Sequence, residues 1–145
     1  MTDQQISAEF SAPIAKAPKD VWDSVKDFGN LSWAAAAGLG DIAVDGEGVG
    51  MIRYISMPGN DHPVVERLVA VDQEVMSMTY VVDHDSLPGF NNYAATAQVK
   101  PADNGALVTW SLSARVPAES ADNMRVGLKG MAEGLVTLFA MQFSS

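Results

Sequence analysis

The chain has two histidines, and each follows an aspartate: Asp61-His62 and Asp83-His84. An imidazole beside a carboxylate can shuttle protons near neutral pH or take a place in a divalent-metal site. The same dipeptide is more often an ordinary part of a solvated loop, with no chemical role. Glu66 and Arg53 lie on neighbouring strand-like segments. There a carboxylate and a guanidinium either pair across the strands or leave the acid to face a ligand. Other reaction classes find no residues here. The absence of cysteine removes a thiolate nucleophile, a cysteine metal site and a disulfide framework. No nucleophile elbow, phosphate loop, dinucleotide fingerprint or zinc spacing occurs, and no cofactor is expected. Gly46-Glu47-Gly48-Val49-Gly50 is glycine-rich, but it joins two strand-like segments rather than opening a helix, so it reads as a turn.

The elements that must position these groups follow from periodicity. Residues 50–57, 63–70, 75–83, 91–100 and 107–115 alternate in polarity with short turns between them, the pattern of an antiparallel meander. A first strand is expected at 6–14 and a short one at 41–45. Between them, Ala17-Pro18-Lys19-Asp20 starts a helix whose apolar face is Val21, Trp22, Val25 and Phe28, stopped by Gly29-Asn30. A second short helix is expected over 31–37. The segment from about 120 to 143 spaces Met124, Leu128, Met131, Leu135 and Leu138 by fours and threes, one stripe of a long helix. Strands in a run with segregated helices imply an α+β fold. A sheet wrapped on one helix leaves a cavity wherever the two part.

Composition narrows the partners. At 145 residues and 48% hydrophobic content, residues 1–145 read as a single domain with an ample core. Nine basic residues against eighteen acidic give a formal charge of −9, and the cations are scattered, so nucleic acid and anionic membrane are poor partners. The N-terminus is polar, without the basic start and apolar run of a signal peptide, and no apolar run approaches a membrane span. A cytoplasmic monomer or homodimer is the expectation.

The order of elements, together with particular residues, resembles the helix-grip superfamily of START-like proteins (SRPBCC). This includes Bet v 1-type plant proteins, bacterial polyketide cyclase/dehydratase-like proteins, lipid binders and abscisic acid receptors. The resemblance is carried by Ala17-Pro18 before Val21-Trp22, Asp27-Phe28, Gly48-Val49-Gly50 before Met51-Ile52-Arg53, and Glu66-Arg67-Leu68 with Val71-Asp72. It continues through Leu87-Pro88 before Asn92-Tyr93 to Val108-Thr109-Trp110-Ser111. It implies a seven-stranded antiparallel sheet wrapped around a long C-terminal helix, with two short helices after the first strand. Loops 56–63 and 83–90 match the gate and latch of the receptor branch by position. Their residues depart from that branch, and Trp33-Ala34-Ala35-Ala36-Ala37 holds no cation where a hormone-anchoring lysine would stand. Hormone reception is therefore not expected. The bacterial cyclase-like branch is compatible.

By the same resemblance Glu66 faces a cavity, and alternation then places Val64 and Leu68 beside it. Tyr93, Ala95 and Ala97 share one inward face, and Met76, Met78, Tyr80 and Val82 another. Such a set is mostly apolar with a few convergent polar groups, the make-up of a small-molecule site. A carboxylate among apolar neighbours can work as a general acid or base, so Glu66 and Tyr93, assisted by Arg53 or His84, form the candidate catalytic group. Trp33, with small alanines after it, marks an opening. Met131 and Leu135 complete the expected ligand wall, and Trp110 lines either the cavity or the outer face. The expected partner is a hydrophobic or aromatic small molecule, polyketide-, lipid- or phenolic-like. An enzyme of the cyclase, dehydratase or lyase kind is the alternative.

Overall fold

The computed structural model describes residues 3–31, 33, 41–56, 58–59, 61–83 and 90–143. These form one seven-stranded antiparallel sheet from β1 (Asp3–Ile14), β2 (Ile42–Asp45), β3 (Ile52–Ile55), β4 (Val64–Asp72), β5 (Ser77–Val82), β6 (Asn91–Ala102) and β7 (Gly105–Pro117). The order across the sheet is β1-β7-β6-β5-β4-β3-β2, a meander whose last strand returns to pair with the first. Alternation decides which face is buried. On β7 every even residue from Ala106 to Val116 is buried and every odd one is half-exposed, so the inward face carries Val108, Trp110 and Leu112. β6 and β7 meet through Asp103-Asn104. Gly105 there has φ +146°, and a Cβ on it would collide with the Ile14 carbonyl, so only glycine fits this corner.

Between β1 and β2, helix α1 (Pro18–Val25) begins on a proline and buries Val21, Trp22 and Val25. It ends a turn before the expected Gly29-Asn30 stop; Phe28 follows in the turn and is buried all the same. Trp22 is 3% exposed and tied by its indole N–H to Gln73 Oε1 at 2.8 Å, so it is a core residue. The second short helix expected over 31–37 lies, apart from Leu31 and Trp33, outside the described residues.

A 3₁₀ turn at Ala118–Ser120 leads into helix α2 (Ala121–Met141), which packs on β1 and β7. Its buried face differs from the expected stripe. Leu128 is common to both, but the fully buried neighbours are Ala132, Val136 and Phe139, while Met124, Met131, Leu135 and Leu138 are half-buried at the flanks. Long apolar side chains attracted the sequence reading, whereas close helix–sheet contact selects a small residue at its centre. No helix among the described residues is long and apolar enough to cross a membrane.

Candidate functional site

The site is built outward from the middle of the inward sheet face. β3 contributes Arg53 and β4 contributes Glu66, directly paired in the strand register. Among the described residues they are the only buried charged side chains, 4% and 8% exposed. Arg53 Nε and Nη2 both donate to Glu66 Oε1 at 2.6 Å, and Nη1 donates to the Phe28 carbonyl oxygen at 2.7 Å. The guanidinium lies 3.9 Å from the Phe28 ring centre and 4.8 Å from that of Tyr80. Arg53 thus ties two strands to the turn after α1. Glu66 does not stand alone in an apolar wall, and the cross-strand pair is formed.

Two phenols complete the polar group. β5 and β6 place Tyr80 opposite Ala95, and Tyr93 shares the inward face with Ala95 and Ala97. Tyr80 Oη accepts a hydrogen bond from Trp110 Nε1 at 3.2 Å, so Trp110 points inward. Burial first, and then the Glu66 charge, push the Tyr80 phenol from 10.0 up to about 12. Tyr93 is displaced further in the same direction by burial, by Tyr80 and by Glu66. Both therefore stay protonated at neutral pH and are not available as bases there. Among the described residues no hydrogen bond occupies Tyr93 Oη, although no fully enclosed side-chain oxygen or nitrogen lacks a partner.

Aromatic rings close one side. Trp33 meets Trp110 at 5.8 Å and Phe139 edge-on at 5.3 Å, and Phe139 meets Trp110 at 5.4 Å. Phe90 stands edge-on to Tyr93 at 6.2 Å. Met78, Val82 and Ala95 are buried on the same wall, while Met131 and Leu135 flank it. Met76 departs from the expectation. It lies in the turn before β5 with φ +53°, so it packs against the core from the strand's end instead of sharing the inward row. His62 is exposed. His84 and most of loop 83–90 lie outside the described residues, as do Ala34, Ala35, Ala36 and Ala37. Among the described residues no cluster of three or more histidine and carboxylate groups is present. Sequence reasoning missed Phe28 and Phe139 as site residues. The 4-4-3 spacing of Leu128, Ala132, Val136 and Phe139 was equally readable, whereas nothing in the sequence marked the Phe28 carbonyl as a partner for Arg53.

The family model described as polyketide cyclase / dehydrase and lipid transport matches residues 5–140. A relative from Arabidopsis thaliana, MLP-like protein 423, is 34% identical over 90 residues, covering 59% of this chain and 57% of that protein, so the match spans little more than half of the relative's length. Truncated norcoclaurine synthase from Thalictrum flavum superposes with a TM-score of 0.76 at 17% identity, covering 97% of this chain and 94% of that one. The same enzyme has been solved in complex with dopamine and hydroxybenzaldehyde. Ara h 8.0201 gives a TM-score of 0.76 at 12% identity, covering 97% and 98%. These structural likenesses show the helix-grip fold.

Proposed function

The chain belongs to the polyketide cyclase / dehydrase and lipid transport family, and on that premise we propose that it binds a hydrophobic or aromatic small molecule, polyketide-, lipid- or phenolic-like, between the inward sheet face and α2. The observation that carries the reading is the buried Tyr93 phenol, protonated and hydrogen-bonded by no described residue, beside a buried ion pair. A buried donor that no described residue occupies suits a ligand oxygen. The surrounding wall of Met78, Val82, Ala95 and Trp33 suits the ligand's apolar body. Norcoclaurine synthase, of the same fold, takes phenolic molecules.

The alternative, turnover by a cyclase, dehydratase or lyase mechanism, rests on the same groups. Tyr93 in its protonated form can protonate a ligand oxygen, and Glu66 would have to act as base while bonded to Arg53. Binding and turnover separate in one experiment. The protein is titrated with an anilinonaphthalene dye, the dye is displaced with simple phenols and aryl ketones, and the recovered ligands are checked for chemical change. Saturable dye binding is expected, abolished by Ala95→Trp, with phenol affinity weakened roughly five- to tenfold by Tyr93→Phe for one lost hydrogen bond. Absence of saturable binding, or an Ala95→Trp variant that binds like the wild type, would overturn the proposal. Ligand altered by the wild type and not by Tyr93→Phe would select the enzyme.

A further inference from the structure

β1 is the end strand of the sheet, and its outward edge can be worked out atom by atom. Asp103-Asn104 forms a two-residue turn closed by the Ala102–Gly105 pair, so odd residues of β7 bond to β6 and even residues of β7 bond to β1. The β1 residues facing those even positions are themselves even, from Gln4 opposite Val116 to Ile14 opposite Ala106. The N–H and C=O groups of Asp3, Gln5, Ser7, Glu9 and Ser11, with the carbonyl of Pro13, therefore point away from the sheet. Such an edge is a template for another strand.

Three features interrupt this template, and they come from separate parts of the chain. Pro13 has no N–H to offer. Arg115 Nη2 donates to the Asp3 carbonyl oxygen at 3.1 Å. Lys129 Nζ, reaching from α2 across the Phe10 ring, donates to the Glu9 carbonyl oxygen at 2.6 Å. The first two sit near the ends of β1. Among the described residues Lys129 covers its middle, in an open cleft of about 780 Å³ that it lines together with Ser7, Glu9, Asp122, Arg125 and Glu133 and that leaves room for an incoming chain.

We propose that Lys129 is an edge guard, which keeps the centre of β1 from pairing with the β1 of a second copy of this chain. An antiparallel pair about a two-fold axis at Ser7 places Gln5 opposite Glu9, with no like charges facing, so the wild-type edge is self-compatible once the ammonium is gone. This reading is independent of any ligand in the interior.

The test uses the full chain with Lys129→Met, which keeps the aliphatic stem over Phe10 and removes the charge, with Lys129→Ala as a second variant and Lys129→Arg as the conservative control. Light-scattering mass is followed over a concentration series, together with amide hydrogen exchange at Gln5, Ser7, Glu9 and Ser11. Self-association is expected to tighten about a hundredfold in the Met and Ala variants, about tenfold for the bond to a charged group that each of the two copies no longer has to give up. Concentration-dependent protection should appear at those four amides, and the Arg variant should behave as wild type. Unchanged mass and unprotected amides in both the Met and Ala variants overturn the proposal. So does a wild type already paired through those amides, or an Arg variant that associates as strongly as Met.

Discussion

At the residue scale the centre of the molecule is a charge pair rather than a lone acid, and this changes what a substitution at Glu66 does. Glu66→Gln leaves the Arg53 guanidinium buried without its counter-charge, for a cost of about 3–5 kcal/mol. The pair Arg53→Met with Glu66→Leu should lie closer to wild type than either single change, because only the Phe28 carbonyl is then left short of a donor. Urea unfolding of the three variants checks this, and a Glu66→Gln stability equal to wild type would contradict it. The phenols set a second expectation. Tyr80, held at about 12 against 10.0 for an unburied phenol, keeps its proton in the folded state after the unfolded chain has lost it. Stability is thus level with respect to this group below pH 10 and falls as pH rises toward 12, by about 1.4 kcal/mol per pH unit. Tyr93 shifts the same way and adds to the slope. Unfolding free energies between pH 9 and 12 should show the fall, reduced in Tyr80→Phe. Glu66, Tyr80 and Tyr93 were legible in the sequence because strand alternation places them; the grip of Arg53 on Phe28 was not, since a backbone carbonyl leaves no trace in composition.

At the scale of elements, α2 contains an unusual economy of side chains. Gly127, Gly130 and Gly134 lie in its interior, none has a positive φ, and a Cβ on any of them would meet nothing within 4 Å. Neither geometry nor packing requires glycine at these positions. Each replacement by alanine should therefore raise stability by about 0.5–1 kcal/mol through the reduced entropy of the unfolded chain. Thermal unfolding of the three single variants and their combination measures it, and a loss of stability in all of them would count against this account. On the opposite face Phe139 is fully buried between Trp33 and Trp110, so Phe139→Ala should cost about 3–5 kcal/mol in the same assay. Element types were readable wherever the period was sustained, as on β7 and α2. The boundaries were less so: β3 proved shorter than 50–57, β5 began two residues late because Met76 turns the chain, and β4 carries a bulge between Leu68 and Ala70. Such irregularities depend on the neighbouring strand's register, which no single segment encodes.

For the whole molecule, 18 acidic against 9 basic residues leave −9 of mutually repelling charge. Raising salt from about 0.01 M to 0.15 M shortens the screening distance from about 30 to 8 Å, so the melting temperature should rise in calorimetry; a fall would show that local ion pairs outweigh the net charge. Architecture was the most legible level of all, because seven strand-like segments and one long amphipathic stretch admit few arrangements. The pairing of β1 with β7 has a consequence in time. Ile6 faces Ala114 and Ile14 faces Ala106, so β1 finds its neighbour only after every intervening strand has been made. The other strand pairs join segments adjacent in sequence and can close as soon as their turns form. Completion of this sheet is therefore a late event with a high loop-closure entropy, and the rate at which the protein folds should be governed by that single long-range seam rather than by the meander.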